Sequence, residues 1–407
     1  MKKILLILGI AFMLNPARGA ARTEYEEMKL FNDVLSQIEA NYVEEKKIPE
    51  LVEGAIIGMV KTLDPYSQYL TPEAAQLMKS ETKGEFGGLG IKITVRDKYL
   101  TIITPMPGTP AFRAGLLPED KIIKIEGEST ESITVMDAVK KLRGKPGTKV
   151  TITIARDDET KDVTIVRANI KIESVPKKQS KMLEYSIGYI RVTEFNEKTP
   201  NDFLKEYAEL ENGGMMALII DLRNNPGGLL KSAVAVAEHF LEKDQLIVYT
   251  KGRQKDTNFK FLAKKNLHKK IPLVILINNG SASGSEIVAG AIKDLGKGIL
   301  LGEKTFGKGS VQSLIDISGG SQLRLTTAKY YTPNGICIHE EGIVPDIEVK
   351  ISREDKIKLM QQEEEIYGLS PEEKEKKEKE KIKDAQLERA REILFAELKF
   401  SGKLSAK

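Results

Sequence analysis

The sequence predicts an α/β protein with helical ends and a separate β-rich module, and three observations carry that prediction. From about residue 185 to 350, apolar strand-like runs alternate with amphipathic helical stretches. Between 84 and 168, short runs of β-branched residues crowd together around one helix. Near both ends of the chain, apolar residues recur at spacings of three and four. The 407 residues suffice for two or three domains with real cores, and 41% hydrophobic and 30% charged residues are ordinary for a soluble protein.

At the start, Lys2 and Lys3 precede an apolar run from Ile4 to Leu14, which is too short to span a bilayer as a helix. Small residues follow, as Ala17-x-Gly19 or Gly19-x-Ala21. This order of parts predicts an export signal over 1–19 that is removed, and hence a periplasmic protein. An uncleaved anchor, which would leave the protein membrane-associated, and a buried helix are the competing readings. No cysteine follows the apolar run, so no lipid is attached there. Losing Lys2, Lys3 and Arg18 takes the formal net charge from +4 to +1, which gives no basic field for nucleic acid. The single cysteine, Cys337, excludes an internal disulfide and a cysteine metal cluster.

Residues 20–79 read as a helical region, with Met28, Phe31, Leu35 and Ile38 forming one stripe and Leu51 to Val60 a second apolar run. The stripe suits ordinary core or a subunit contact. Pro65 and Pro72 break the pattern in "LDPYSQYLTPE". In the β-rich module, placed at 80–168, "GIKITV", "YLTIITP" and "KVTITIARD" read as strands. The helix "VMDAVKKLRG" is stopped by Gly144 and Pro146. The α/β core, placed at 169–350, contains "SIGYIRV" as a strand and "NDFLKEYAEL" as a helix. Its buried strands "ALIID" (217–221) and "PLVILIN" (272–278) each run into a turn and a helix. Functional residues in such a fold sit where strands pass into helices. The tail, 351–407, holds "PEEKEKKEKEKIKD", a solvated helix or a disordered run. Leu387, Ala390, Leu394 and Leu398 then form a stripe that requires a partner, either a second copy in a homo-oligomer or the chain's own core.

"GEKTFGKGSVQ" (302–312) is close to a phosphate-binding loop, but Gly309 stands where that loop needs a hydroxyl, and a strand rather than a helix follows. A lysine held between Gly307 and Gly309 has another use: burial disfavours its charged form, and a neutral amine is a general base. "INNGSASGSEIVAG" offers Ser281, Ser283 and Ser285 as nucleophiles at a strand-to-helix junction. Ser283-x-x-Glu286 is also a capping box, so Ser283 is equally placed to cap the helix. "DLRNNPGGLL" (221–230) follows a buried strand with a turn whose N–H groups suit an oxyanion, or which is a plain βα turn. His239, His268 and His339 show no metal spacing, and a Ser-His-Asp arrangement using one of them stays open.

Taken in order from "LDPYSQYLTPE" through "GGLGIKI", "DAVKKLRGKPGTKV", "LIIDLRNNPGGLL", "INNGSASGSEIVAG" and "GEKTFGKGSVQ" to "GIVPDIEV", these stretches resemble the carboxyl-terminal processing peptidases, or tail-specific proteases, over residues 30–350. The resemblance implies a crotonase/Clp-protease-like α/β core with an inserted PDZ domain, and a serine endopeptidase without a cofactor or metal. It implies a Ser283 nucleophile, a Lys308 base and a supporting Gln312, with the N–H of Gly227 or Gly228 and of Gly284 as oxyanion donors. Many relatives carry alanine at the position of Gly284; because a backbone group does that work, the change should be tolerated. The PDZ resemblance assigns the substrate's C-terminal carboxylate to Gly88, Leu89, Gly90 and Ile91. The peptide would lie as an added strand in a groove walled by Val135 and Val139. Expected partners are proteins or peptides bound through their C-termini, and an adaptor lipoprotein of the kind some members of the family use. The competing functions are a PDZ adaptor that binds tails without cutting and an α/β binder of an acyl ligand.

Overall fold

The computed structural model describes residues 23–403, except 97, 107, 118, 132, 134, 157–158, 265–269, 353, 356–357, 360–361 and 363–381. The expected export signal, His268 and most of the charged run lie outside the described residues. The chain forms two compact units, Met1–Tyr69 and Leu70–Lys407.

The first unit holds the helices Glu24–Asn41 and Ile48–Lys61. Thr23 and Glu26 close a capping box on the first, and Pro49 sits in the first turn of the second, where its missing N–H goes unnoticed. None of the first helix is buried, and Met28, Phe31 and Ile38 of the expected stripe are exposed.

Within the second unit, a β module and an α/β core are joined by a two-stranded ribbon. Glu85–Gly88 and Ala168–Lys171 pair antiparallel and carry the chain into and out of the module. At its root Glu85 forms an ion pair with Lys198 (2.9 Å), and Glu197 N–H donates to the Thr82 carbonyl (2.9 Å). The module's sheet runs in the order Ile91–Arg96, Tyr99–Pro105, Lys121–Ile125, Lys149–Arg156, Glu159–Val166, all antiparallel. Leu100, Ile102, Ile122, Val150 and Ile152 form its core with Ala138 and Leu142 of the helix Val135–Leu142.

The core sheet runs Lys181–Leu183, Ile187–Arg191, Ala217–Asp221, Leu273–Ile277, Ile299–Gly302, Ile347–Glu348, parallel throughout except for the first pair. Alternate residues of each strand serve opposite faces. Leu218, Ile220, Ile275 and Leu300 pack with the helices Thr199–Asn212, Leu230–Glu238 and Gly284–Asp294. Ala217, Ile219, Val274 and Leu301 pack on the other face with Ala390, Leu394 and Leu398 of the helix Ala385–Phe400. A sheet covered on both faces needs apolar residues at every position, which is why "ALIID" and "PLVILIN" read as unbroken runs. The C-terminal stripe therefore finds its partner in the chain's own sheet; the contact between copies expected of this helix is already filled from within, because its three innermost residues are fully buried there. An antiparallel sheet of Leu246–Gly252, Lys260–Leu262, Ser310–Asp316 and Gln322–Tyr331 completes the core. No described helix is long and apolar enough to cross a membrane.

Candidate active site

Three loops meet at the C-terminal ends of the parallel strands. The first follows Leu273–Ile277 and ends at Ser283, which opens the helix Gly284–Asp294. Its three serines divide by environment. Ser281 and Ser285 are fully buried, and their hydroxyls donate to the carbonyls of Leu222 (2.8 Å) and Asn225 (2.9 Å), tying this loop to the second. Ser283 is the half-buried one. Its φ of 51° and ψ of −108° lie outside the regions that L-residues favour, the kind of outlier that gathers at functional sites.

Glu286, with no exposed surface, organises the junction. One carboxylate oxygen accepts the Thr305 hydroxyl (2.6 Å) and Gly307 N–H (2.7 Å); the other accepts the N–H of Ser283 (2.8 Å) and of Lys308 (2.9 Å). The backbone nitrogens of Ser283 and Lys308 thus sit within two hydrogen-bond lengths of each other, although 25 residues separate them in sequence. The capping reading of Ser283-x-x-Glu286 is correct as far as Glu286 goes, and the same carboxylate also seats the lysine loop. Burial pushes the Glu286 carboxyl up from its ordinary value, against the donors that favour its charged form. The sequence singled out Glu286 only as half of a cap; nothing local announces its bonds to 305–308.

Lys308 is half-buried, and burial first, then the Arg324 guanidinium, holds its amine below the usual lysine range. Gly309 lets this loop pass against the 338–342 segment: a Cβ there would lie 2.2 Å from the backbone nitrogen of His339. Ser283 and Lys308 are joined through their backbone N–H groups, which share one Glu286 oxygen. Among the described residues Gln312 does not bond the amine; its amide nitrogen donates to Ser310 of the same strand (2.9 Å) and to its cross-strand partner Thr326 (3.3 Å).

The second loop is the "NNPGG" turn. A Cβ on Gly227 would lie 2.7 Å from both the Ser283 Cβ and the Gly284 nitrogen, so the turn abuts the serine directly. The Gly227 N–H donates to the Asn225 side-chain oxygen (2.9 Å). The exposed Gly228, at φ 141°, and Gly284, in the first turn of its helix, have N–H groups that make no hydrogen bond among the described residues. A Cβ on Gly284 would lie 3.0 Å from the Phe195 ring and 3.3 Å from the Ala233 Cβ, so alanine fits only with a small shift. His239 is packed edge-on among Phe203, Tyr207 and Phe240, which fits a core histidine. No group of three or more His, Cys, Asp or Glu side chains suited to a metal occurs among the described residues.

A carboxy-terminal-processing protease of Bartonella bacilliformis is 41% identical over 333 residues, covering 80% of this chain and 76% of that protein. The carboxy-terminal processing protease CtpB of Bacillus subtilis is 38% identical over 339 residues, covering 82% and 70%. The chain belongs to the carboxy-terminal processing proteases. Family models agree: peptidase family S41 matches 186–349, the PDZ domain 77–155, and the activating protease CtpB N-terminal domain 13–74. A solved photosystem II D1 C-terminal processing protease is 28% identical, with a TM-score of 0.50 over 80% of this chain and 93% of that one.

In this protease the PDZ groove is open. Ile91–Arg96 is the first strand of its sheet, leaving one edge unpaired within that sheet, and the helix Val135–Leu142 lies beside it. The N–H groups of Leu89 and Gly90 make no hydrogen bond among the described residues. Gly88 closes the entry ribbon, and Ile91 is half-buried. The Leu89 side chain is 2% exposed inside the module, leaving only its backbone toward the groove. Val139 is half-buried on the helix; the Val135 side chain lies outside what is described.

Proposed function

We propose that this protease is a serine endopeptidase that cuts exported proteins near their C-termini, with Ser283 as nucleophile and Lys308 as its base. The observation that carries the reading is the Glu286 oxygen shared by the N–H groups of Ser283 and Lys308, which fixes the two loops side by side. Neutral Lys308 takes the Ser283 proton as the oxygen attacks the scissile carbonyl, and the oxyanion lies between Gly228 and Gly284 N–H. The lysine then protonates the leaving amine, and water releases the acyl-enzyme. Hydroxyl and amine close on one another when substrate binds, as catalytic hydrogen bonds tighten in the Michaelis complex. Gln312 acts by holding Ser310 and Thr326 around the lysine strand.

The PDZ module captures the substrate's terminal carboxylate on the Leu89 and Gly90 N–H groups and pairs the tail with Ile91–Arg96. The core's kinship to crotonase and Clp-protease folds, export through residues 1–19, an adaptor lipoprotein and self-association through the N-terminal helices belong to the same reading.

Ser283→Ala and Lys308→Ala are each expected to lower turnover of a peptide with an apolar C-terminus by at least about 10³-fold, with thermal stability kept. Full turnover in either purified variant would remove the dyad and leave a tail-binding adaptor as the better account.

A further inference from the structure

A buried charge network lies under the "NNPGG" turn, and one of its members comes from the far end of the chain. Asp221, fully buried, accepts the Tyr189 hydroxyl (2.7 Å) and the Arg223 backbone N–H (2.9 Å), and forms ion pairs with Arg191 (2.8 Å) and Arg223 (2.5 Å). Arg223 also reaches Asp384 (2.7 Å) and the side-chain oxygen of Gln386 (3.0 Å). Asp384 is the N-cap of the helix Ala385–Phe400, and the Gln386 amide donates to the Val349 carbonyl (2.7 Å). Two guanidinium groups therefore face two carboxylates, one on the sheet and one on the C-terminal helix.

Arg223 is also the root of the oxyanion loop. The next residue, Asn224, takes a left-handed φ of 57° and exchanges hydrogen bonds with Asn278. Asn225 follows: its carbonyl accepts Ala282 N–H (3.0 Å) and the Ser285 hydroxyl, and its side-chain oxygen holds Gly227. Arg223 is joined to Gly228 through a turn in which Asn224, Asn225 and Gly227 are each held by hydrogen bonds, so a change in the seat of Arg223 reaches Gly228 through that turn. An arginine gripped on two sides by carboxylates has its planar fork fixed in both direction and rotation.

We propose that Asp384 is a positioning residue for the cleavage reaction, clamping Arg223 from the C-terminal helix so that the Gly228 N–H stays aligned with that of Gly284. The proposal rests on the Ser283/Lys308 reading. It makes the last helix a part of the active-site scaffold rather than only a cover for the sheet.

The test uses full-length protein carrying Asp384→Ser. Serine caps a helix about as well as aspartate but cannot hold a guanidinium. The expected result is a kcat lower by about tenfold or more, short of the ~10²–10³ that loss of a whole oxyanion donor costs, with KM within about twofold. Inhibition by a peptide boronate, whose tetrahedral adduct needs the same donors, should weaken in parallel, and the amides of 224–228 should exchange hydrogen faster. Asp384→Asn, which keeps shape and cap without the charge, should lose less, and Asp384→Glu should recover part of the loss. Wild-type kcat and boronate affinity in Asp384→Ser, or a lowered melting temperature with kcat unchanged, would overturn the proposal and leave the helix end purely structural. Wild-type protein that ignores the boronate, or Ser283→Ala protein that keeps its turnover, would instead bring down the Ser/Lys reading and this proposal with it.

Discussion

Arg324 is the residue whose importance only folding exposes. It lies on Gln322–Tyr331 opposite Leu314, and its charge bears on Lys308 from across the hairpin. Other ionisable groups on and around the lysine loop include Glu303 and Lys304 in the loop, Glu286, which takes the Lys308 N–H, His339, whose backbone abuts Gly309, and Glu340, whose N–H donates to the Gly307 carbonyl (2.8 Å). A neighbouring positive charge lowers an amine's pKa, so Arg324 increases the neutral fraction of Lys308 at a given pH. Arg324→Gln should therefore move the rising limb of the kcat/KM–pH profile to higher pH, reducing activity near neutrality and restoring it in alkali. An unmoved limb would mean that burial alone sets the base. Glu286→Ala would leave four donors without their acceptor inside the protein. Each such buried group costs about 1–3 kcal/mol, so the loss should be plain in chemical denaturation as well as in turnover.

At the scale of elements, the periodicities were legible and the partners were not. Alternate residues in "ALIID" serve two faces, and the run told of burial on both sides without naming what covers either. The stripe in Ala385–Phe400 was equally plain, yet a stripe records only that something covers it. Here it is the sheet of the same chain, with Leu394 and Leu398 fully buried. Leu394→Ala should cost about 2–5 kcal/mol in unfolding free energy by denaturant titration, with no dependence on protein concentration. A concentration-dependent loss would place the helix between copies instead. Glycine spacing likewise located the turn but left Gly227 and Gly228 equivalent; in the structure the Asn225 side chain takes the Gly227 N–H.

For the whole molecule, the network around Asp221 sets a pH limit. Burial alone would raise that carboxyl, but Arg191 and Arg223 outweigh it and hold it well below the usual carboxylate range. A carboxyl depressed in this way adds stability that is fully present above its unfolded value, about 3.9, and is lost as pH falls toward the folded one. Stability should thus be insensitive to this group at neutral pH and fall below about pH 4. Thermal melts across that range in wild type and Asp221→Asn would show it, the variant lacking the acid-dependent component. The ribbon of Glu85–Gly88 and Ala168–Lys171 marks where the PDZ module can be excised. Removing the residues between its strands should abolish discrimination between a substrate with a free C-terminus and its amidated form. Equal discrimination in the shortened protein would place tail recognition elsewhere.

The sequence by itself determined the classes of element, the approximate extent of the β module and the short motifs that hold Ser283, Lys308 and the glycine turn, because periodicity and turn chemistry are local properties of a chain. Only the tertiary structure decided that Glu286 joins the serine to the lysine loop, that Gln312 bonds Thr326 of the facing strand and that Asp384 reaches Arg223. The contacts of Lys308 with Glu286, Gln312 with Thr326 and Arg223 with Asp384 join residues 14 to 161 positions apart, and a hydrogen bond or ion pair between distant residues leaves no periodic trace in one sequence; it exists once packing has removed the water between them.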